Sequence, residues 1–185
     1  ASLCGIQAAR ESGDAEAMER AVALDLTLHA FMFTLSGVPV LYSGDEIAQE
    51  NDDAYHDDPF KSGDSRYLHR GELDRERAAS RSDEATPQGR VFSAITRMEA
   101  LRADNAVFDA GADTWLPDTG DDRILGIGRY SCGQQLLALF NFSEDPVIVP
   151  NPMKNGVDAV TGTKYGGDTL VLPGYGFVWL EPEGQ

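Results

Sequence analysis

The strongest constraint on the fold is a change in the spacing of apolar residues near residue 105. Before it, apolar side chains recur three or four positions apart, which predicts amphipathic helices over residues 14–36 and 87–104. After it, short apolar runs alternate with Gly-containing turns, which predicts strands at residues 123–130, 135–142, 146–149, 169–172 and 177–181. The second pattern is typical of a small antiparallel β-sandwich.

The segment between the two helices combines a predicted strand with acidic residues. Val38–Tyr42 is a short apolar run without polar alternation, which favours a strand buried on both faces, as in a parallel sheet. Asp45 and Glu46 follow it, at the strand end where parallel α/β folds place their chemistry. Residues 47–87 then lack clear periodicity, and a loop of about forty residues is more often functional than an ordinary connection.

Charge and composition exclude several classes of protein. The net charge of -16 and the pI near 4.4 disfavour nucleic acid as a partner, and no apolar run has the length of a membrane-spanning helix. Cys4 and Cys132 belong to no CxxC or Cys/His pattern, so we expect no disulfide scaffold or zinc site, and two buried or half-buried thiols. No cofactor is implied. The chain begins at Ala1 and shows no signal-peptide pattern, from which we expect a cytoplasmic location.

Asp45 and Glu46 have two interpretations. They could act as a catalytic acid and base, or they could fix the neighbouring loop by hydrogen bonds. Adjacent side chains at a strand end point in opposite directions, whereas a glycosidase needs two carboxyl groups facing each other across its substrate. The spacing therefore favours the structural role for this pair.

Arg66 lies inside the long loop and also has two interpretations. Its guanidinium could bind a carboxylate or sugar hydroxyls, because it presents a planar fork of donors. It could equally form a surface ion pair with Asp57, Asp58 or Asp64.

The remaining polar and aromatic candidates are weaker. Four aspartates have the oxygen content that calcium prefers but lack the EF-hand spacing: Asp52, Asp53, Asp57 and Asp58. We expect them to pair with Lys61, Arg66 and Arg70 and to bind no metal, while calcium binding stays open as the alternative. We interpret His29 as a half-buried histidine and find no nucleophile partner for His56. Four aromatic residues could stack a sugar but more often fill a sandwich core: Trp115, Trp179, Tyr165 and Tyr175.

Five sequence strings resemble one enzyme family. Residues 37–46, GVPVLYSGDE, resemble the eighth barrel strand of the α-amylase superfamily of glycoside hydrolases. NDD at 51–53 and KSGDSRYLHR at 61–70 are similar to the amylosucrase branch, with sucrose hydrolases as near neighbours. LFNFS at 139–143 and LPGYGFVWLE at 172–181 resemble the β-sandwich, called domain C, that ends these enzymes.

The resemblance implies the end of a (β/α)₈ TIM barrel over residues 1–104, comprising helix seven, strand eight, a long loop and helix eight, and domain C over residues 105–185. It implies an enzyme that breaks sucrose, holds the glucosyl group on an aspartate and passes it to an α-1,4-glucan, releasing fructose. The family's catalytic carboxylates are absent from this chain, so we expect it to be inactive alone and to need the remainder of the barrel. An isolated strand edge would then favour dimers or aggregates.

The resemblance also assigns residue roles. Arg66 matches a position from which an arginine reaches the glucosyl pocket and pairs with an aspartate of an earlier barrel loop. Asp45, Glu46 and Asp64 are expected to structure the loops beside that site. Three alternatives stay open: a sucrose hydrolase, another α-glucosidase of the superfamily, and a separate glucan-binding sandwich. Whether the glucosyl group is transferred to glucan or to water also stays open.

Overall fold

The structure is a computed structural model that describes residues 1–184, and the chain forms two compact units. The first unit consists of residues 1–25 and 41–93, and the second of residues 26–40 and the chain from residue 94 onward. The domain boundary between residues 104 and 105 stays a prediction for the longer protein that the sequence resembles.

The described residues form four α-helices: α1 (Ile6–Ser12), α2 (Ala15–Thr34), α3 (Arg75–Ala79) and α4 (Pro87–Asp104). Helices α2 and α4 confirm the two helices predicted from apolar spacing, whereas α1 and α3 are too short to give a periodic signal. Asp14 caps α2, since its Oδ1 accepts a hydrogen bond of 2.9 Å from the backbone of Ala17. None of the helices in residues 1–184 is long and apolar enough to cross a membrane.

Two antiparallel sheets lie in the second unit. Their strands are β1 (Asp113–Trp115), β2 (Ile124–Ser131), β3 (Gln134–Asn141), β4 (Val147–Pro150), β5 (Asn155–Asp158), β6 (Lys164–Gly166), β7 (Thr169–Leu172) and β8 (Phe177–Pro182). The larger sheet has the order β1-β2-β3-β8-β5-β6, and β4 pairs with β7 in the smaller one. All five predicted strands form, whereas β1, β5 and β6 are short, with few apolar residues, and escaped prediction.

The sandwich buries apolar residues on both faces of its central strands. On one face, Leu139 and Val178 of the larger sheet pack with Val149 and Leu172 of the smaller sheet in one core. On the other face, Phe140 contacts Phe31 of α2 edge to face, with ring centroids 5.8 Å apart. Strand β3 is therefore buried along six consecutive residues, which explains the uninterrupted apolar run of the first five, Leu136–Phe140.

Arg129 is a fully buried charge within this unit. Its Nε donates to the carbonyl of Val107 over 2.6 Å, and its Nη1 donates to the carbonyl of Thr34 over 2.9 Å. Thr34 is the last residue of α2, where backbone carbonyls lack partners within the helix. The guanidinium thus satisfies a helix end that would otherwise be buried with unpaired carbonyls.

The predicted barrel strand at Val38–Tyr42 is wrong for this structure. The segment has no strand pairing, and Val38 and Val40 are 88% and 79% exposed. A β-strand exists only through hydrogen bonds to neighbouring strands, and the described residues supply none beside it. The apolar pattern of a parallel strand is present, but the barrel end itself is not evident.

Candidate functional site

The turn after Tyr42 is held by the two carboxylates that follow it. The backbone N–H of Tyr42 donates to Oδ2 of Asp45 over 3.2 Å, and that of Gly44 donates to Oε2 of Glu46 over 2.8 Å. Gly44 has a φ of 103°, and a Cβ there would lie 2.7 Å from Oε1 of Gln49. Both carboxylates are half-buried and structure this turn, while their proximity to a catalytic centre stays a prediction.

Arg66 forms an ion pair with Asp64 at the surface of the first unit. Its Nε and Nη2 donate to the Asp64 carboxylate, with distances of 2.8 Å and 2.6 Å for the two shortest bonds. The arginine side chain is 70% exposed. The hydrogen bonds from the Arg66 side chain and backbone lower the pKa of Asp64 to about 2. Of the three acidic partners expected from the sequence, the structure therefore selects Asp64.

The same arrangement occurs in the second unit at Asp121 and Arg123. Nε and Nη2 of Arg123 donate to the Asp121 carboxylate over 2.9 Å and 2.6 Å, and the pKa of Asp121 is again lowered to about 2. In both cases the aspartate also accepts from the backbone N–H two residues later, a local Asx turn. The Asp-x-Arg spacing alone produces this pair, so the pair itself does not identify a functional site.

A cavity of about 130 Å³ lies beside the Asp45 turn, within the first unit. Its walls include Tyr42, Asp45, Asn51 and His69, which offer hydroxyl, carboxylate, amide and imidazole groups. Nδ1 of His69 lies 3.1 Å from Oδ1 of Asn51, which orients the imidazole ring. Arg66 is not among the residues that line this cavity, so the structure brings Asp45, but not Arg66, to it.

Glu50 anchors a charge network that the sequence analysis missed. Its carboxylate accepts from Arg10 over 2.8 Å and from Arg77 over 2.8 Å, and its side chain is 7% exposed. Burial alone would raise the pKa of Glu50, but the hydrogen bonds and positive charges of the two arginines outweigh it and lower the pKa. No local sequence signal identifies this network, because its members are far apart along the chain.

The segment of residues 43–86, the acidic loop, uses its aspartates to hold turns. Five of them accept a hydrogen bond from the backbone N–H two residues later: Asp52, Asp58, Asp64, Asp74 and Asp83. Lys61 also lies 3.6 Å from Asp58, in keeping with the expected ion pairing. Within residues 1–184, no group of three or more acidic, histidine or cysteine side chains is placed to bind a metal ion.

The remaining candidates divide between core and surface. Trp179 is fully buried, and its ring centroid lies 5.1 Å from that of Phe108. It therefore belongs to the core rather than to a stacking platform. His29 is half-buried as expected, and the ring of exposed His56 lies tilted against that of Tyr55, with the centroids 4.0 Å apart.

The expectation for Cys132 is wrong, whereas Cys4 is half-buried as expected. Cys132 is exposed, because it occupies a hairpin turn with a φ of 52°. Burial, followed by the charge of Asp25, raises the pKa of the Cys4 thiol to about 12.

Comparison with known proteins finds one distant sequence relative and several solved structures of similar fold. No protein-family model matches the chain. Among curated proteins, the chain is 26% identical over 174 residues to a glucosylglycerate phosphorylase of Escherichia coli strain K12. The match covers 93% of this chain and 30% of that enzyme, so the chain spans less than a third of its relative.

Solved structures of similar fold are also much longer than this chain. The maltogenic amylase of S. marinus aligns with a TM-score of 0.61 and 20% identity, over 86% of this chain and 19% of its own. AmyP in complex with maltotriose aligns with a TM-score of 0.64 and 14% identity, over 89% of this chain and 35% of AmyP. A MutB mutant in complex with the substrate sucrose aligns with a TM-score of 0.61 and 13% identity, over 86% of this chain and 38% of MutB. The described residues thus share the fold of part of each of these longer proteins.

Proposed function

We propose that this chain is the carboxyl-terminal part of a sucrose-using, retaining α-glucosyltransferase of the amylosucrase type. The observation that carries the proposal is the alignment of 93% of the chain with 30% of a glucosylglycerate phosphorylase. The string KSGDSRYLHR at residues 61–70, which resembles amylosucrases, directs the proposal to sucrose. Sucrose is also the substrate in the MutB complex.

The proposed reaction is a double displacement. A carboxylate in the remainder of the barrel attacks the glucosyl carbon of sucrose, the glycosidic bond breaks, and fructose leaves with a proton from a carboxylic acid. A hydroxyl of an α-glucan then displaces the carboxylate, gives its proton to the base that the acid has become, and yields the lengthened glucan. Both carboxylates lie outside this chain, so the chain alone is inactive, and it has no cofactor in this proposal. A cytoplasmic location is a further part of the proposal.

Arg66 is the residue of this chain that we assign to the glucosyl pocket. Its Nε and Nη2 engage Asp64, which fixes the plane of the guanidinium on a surface loop. The N–H groups of Nη1 are not used in that pair and suit an acidic side chain or sugar hydroxyls from elsewhere in the enzyme. Asp64 structures the turn that contains this position, and we assign the turn structured by Asp45 and Glu46 to the surroundings of the same pocket in the complete enzyme.

A glucoside phosphorylase is the second candidate, because the curated relative is a phosphorylase. The first displacement would be shared, and inorganic phosphate would replace the glucan as the second nucleophile. The product would then be glucose 1-phosphate instead of a longer glucan.

The test begins with the native mass of the polypeptide that contains this sequence. A mass several times 20.0 kDa identifies the longer protein, which is then purified and incubated with sucrose, with and without phosphate. We expect fructose in excess of glucose, together with α-glucan. Equal amounts of glucose and fructose would indicate a hydrolase, glucose 1-phosphate would indicate the phosphorylase, and no fructose release would contradict the use of sucrose.

The role of Arg66 is tested with a matched control in the same enzyme. Arg66→Ala should lower sucrose turnover by about 100-fold, as expected when a positioning contact is lost. Arg123→Ala removes the same local ion pair from the sandwich and should leave turnover unchanged. Equal turnover in the two variants would remove Arg66 from the pocket.

A further inference from the structure

Two glycines of β2 give Trp115 an unusual position on the sandwich. Trp115 pairs with Gly128 across strands β1 and β2, and a Cβ at Gly128 would lie 2.0 Å from Cε2 of the indole. Two residues earlier on the same face, a Cβ at Gly126 would lie 2.6 Å from Cγ of Pro117. The missing side chains therefore let the indole and the proline ring lie directly against the strand.

The indole nevertheless stays accessible. Trp115 is 38% exposed, although it is seated on the backbone of Gly128. A large aromatic ring fixed by the backbone and open to solvent loses little conformational freedom when a ligand covers it.

Trp115 forms one wall of a cleft of about 300 Å³ in the second unit. Pro117, Leu137 and Met153 supply further apolar surface, and the side chain of Gln135 brings an amide that can donate and accept hydrogen bonds. The volume is at the lower end of the range for small-molecule sites.

The charge of the cleft selects the type of ligand. No charged side chain of the described residues lines it, in a chain whose net charge is -16. An ion would find no counter-charge there, whereas a neutral molecule with one apolar face and hydrogen-bonding groups at its edge fits both surfaces. A pyranose ring has this shape, since its axial C–H bonds form an apolar face and its hydroxyls surround the rim.

We propose that Trp115 and the cleft beside it bind a neutral α-1,4-glucan outside the catalytic site. The ring of one glucose unit stacks on the indole, and the Gln135 amide bonds its hydroxyls. The choice of α-glucan among neutral sugars rests on the proposed function, whereas the neutral, stacking character of the site rests on the cleft alone. Such a site would keep the glucan product near the enzyme between transfers.

The experiment titrates the 185-residue chain with maltoheptaose and follows tryptophan fluorescence. The chain has two tryptophans, and Trp179 is fully buried, so a change of emission on binding reports Trp115. We expect a saturable blue shift of the emission at millimolar sugar. The shift should be unchanged in about 0.5 M NaCl, because salt at that concentration screens charge interactions and the binding involves none. Cellohexaose, a neutral β-linked glucan, should bind at least about tenfold more weakly, a difference of about 1.4 kcal/mol.

The matched variants keep the proposal open to contradiction. Trp115→Ala and Gln135→Ala, followed by calorimetry, should each weaken maltoheptaose binding by about tenfold or more. Leu116→Ala changes the exposed neighbour, which does not line the cleft, and should bind as the parent chain does. Circular dichroism checks that each variant is folded.

Three outcomes would overturn the proposal: no binding by the folded parent chain, equal binding by Trp115→Ala and the parent, or equal binding of both glucans. The experiment involves no turnover. Failure of the sucrose assay and failure of this binding are therefore distinguishable.

Discussion

The sandwich and the acidic loop of residues 43–86 are stabilised in different ways. Strands β3 and β8 are buried by apolar side chains on both faces, and they contain Phe140, Trp179 and Leu180, all fully buried. The loop has few buried apolar residues and is organised by aspartate-capped turns and by the ion pairs of Glu50. Apolar burial resists changes of pH and salt, whereas charge pairs respond to both, so the two regions should differ in what destabilises them.

The largest effect should follow removal of the central aromatic residue of the sandwich. Trp179→Ala deletes a fully buried indole and should lower the free energy of unfolding by about 3–5 kcal/mol, measured by urea denaturation. Trp179→Phe is the sharper comparison. The indole Nε1 has no hydrogen-bond partner among the described residues, so Phe loses volume but no bond. We expect a cost below about 2 kcal/mol, as for modest changes of core volume. A cost for Phe well above about 2 kcal/mol would contradict the absence of a bond at the indole N–H.

The second effect should appear in the loop and leave the sandwich unchanged. Glu50→Gln removes the charge that binds Arg10 and Arg77 and should make local opening easier by about 1–3 kcal/mol. Hydrogen exchange measures this directly. The amide of Asp52, bonded to the carbonyl of Leu68, should exchange faster, and that of Asn141, bonded to the carbonyl of Gly176, should not.

The same network predicts a pH dependence. The pKa of Glu50 is lower in the folded chain than in the unfolded one, so its contribution to stability is fully present above the ordinary glutamate pKa of about 4.3. It is lost as the pH falls through the lowered folded value. Acid should therefore lower the protection factor of the Asp52 amide, which compares its exchange rate with the intrinsic rate at the same pH, in the parent chain and lower it less in Glu50→Gln. Identical acid responses in the two chains would contradict this role of Glu50.

The difference between the regions also explains what the sequence could predict. Helices α2 and α4 and five strands were predictable, because apolar periodicity reflects burial within each element. Val38–Tyr42 has the composition of a buried parallel strand, yet composition cannot supply the neighbouring strands on which pairing depends. The prediction was wrong because it assumed the neighbouring strands of a complete sheet, which the described residues do not supply.

The candidate site was predictable only where partners are close in sequence. Asp64 and Arg66 are two residues apart, and the ion pair was among the stated interpretations. Arg10, Glu50 and Arg77 come together only in the folded chain, and no spacing rule links them. Arg129 was missed for a different reason, since a buried arginine whose partners are backbone carbonyls leaves no acidic residue to search for.

A smaller effect compares the two Asp-x-Arg pairs, one in each region. Carbon-13 NMR titration should give a pKa of about 2 for both Asp64 and Asp121. Arg66→Ala should return Asp64 toward the ordinary value of about 3.9 and leave Asp121 unchanged, and Arg123→Ala should do the reverse. Because the folded pKa is lowered, any stabilisation by these pairs is present above about pH 4 and disappears toward pH 2. If either aspartate kept its low pKa without its arginine, the backbone turn rather than the ion pair would be its cause.

The smallest effect uses the two thiols to follow the units separately. Cys132 is exposed in the sandwich, whereas Cys4 in the first unit is half-buried and has a pKa raised to about 12. At pH 8, a pKa of about 12 leaves about 10⁻⁴ of the thiol ionised, against roughly a quarter for an ordinary cysteine. A thiol reagent should therefore modify Cys4 slowly, whereas it should modify Cys132 rapidly because that side chain is exposed, as checked in Cys132→Ser and Cys4→Ser.

The comparison becomes decisive when the thiol assay is repeated in urea. Both tryptophans belong to the second unit, so fluorescence reports the sandwich, while the labelling rate of Cys4 reports the first unit. If charge pairs are the weaker form of stabilisation, Cys4 should become reactive at a lower urea concentration than the fluorescence transition, and salt should widen the gap. Coincident transitions at every salt concentration would show one cooperative structure, in which the apolar core stabilises the charged loop as well.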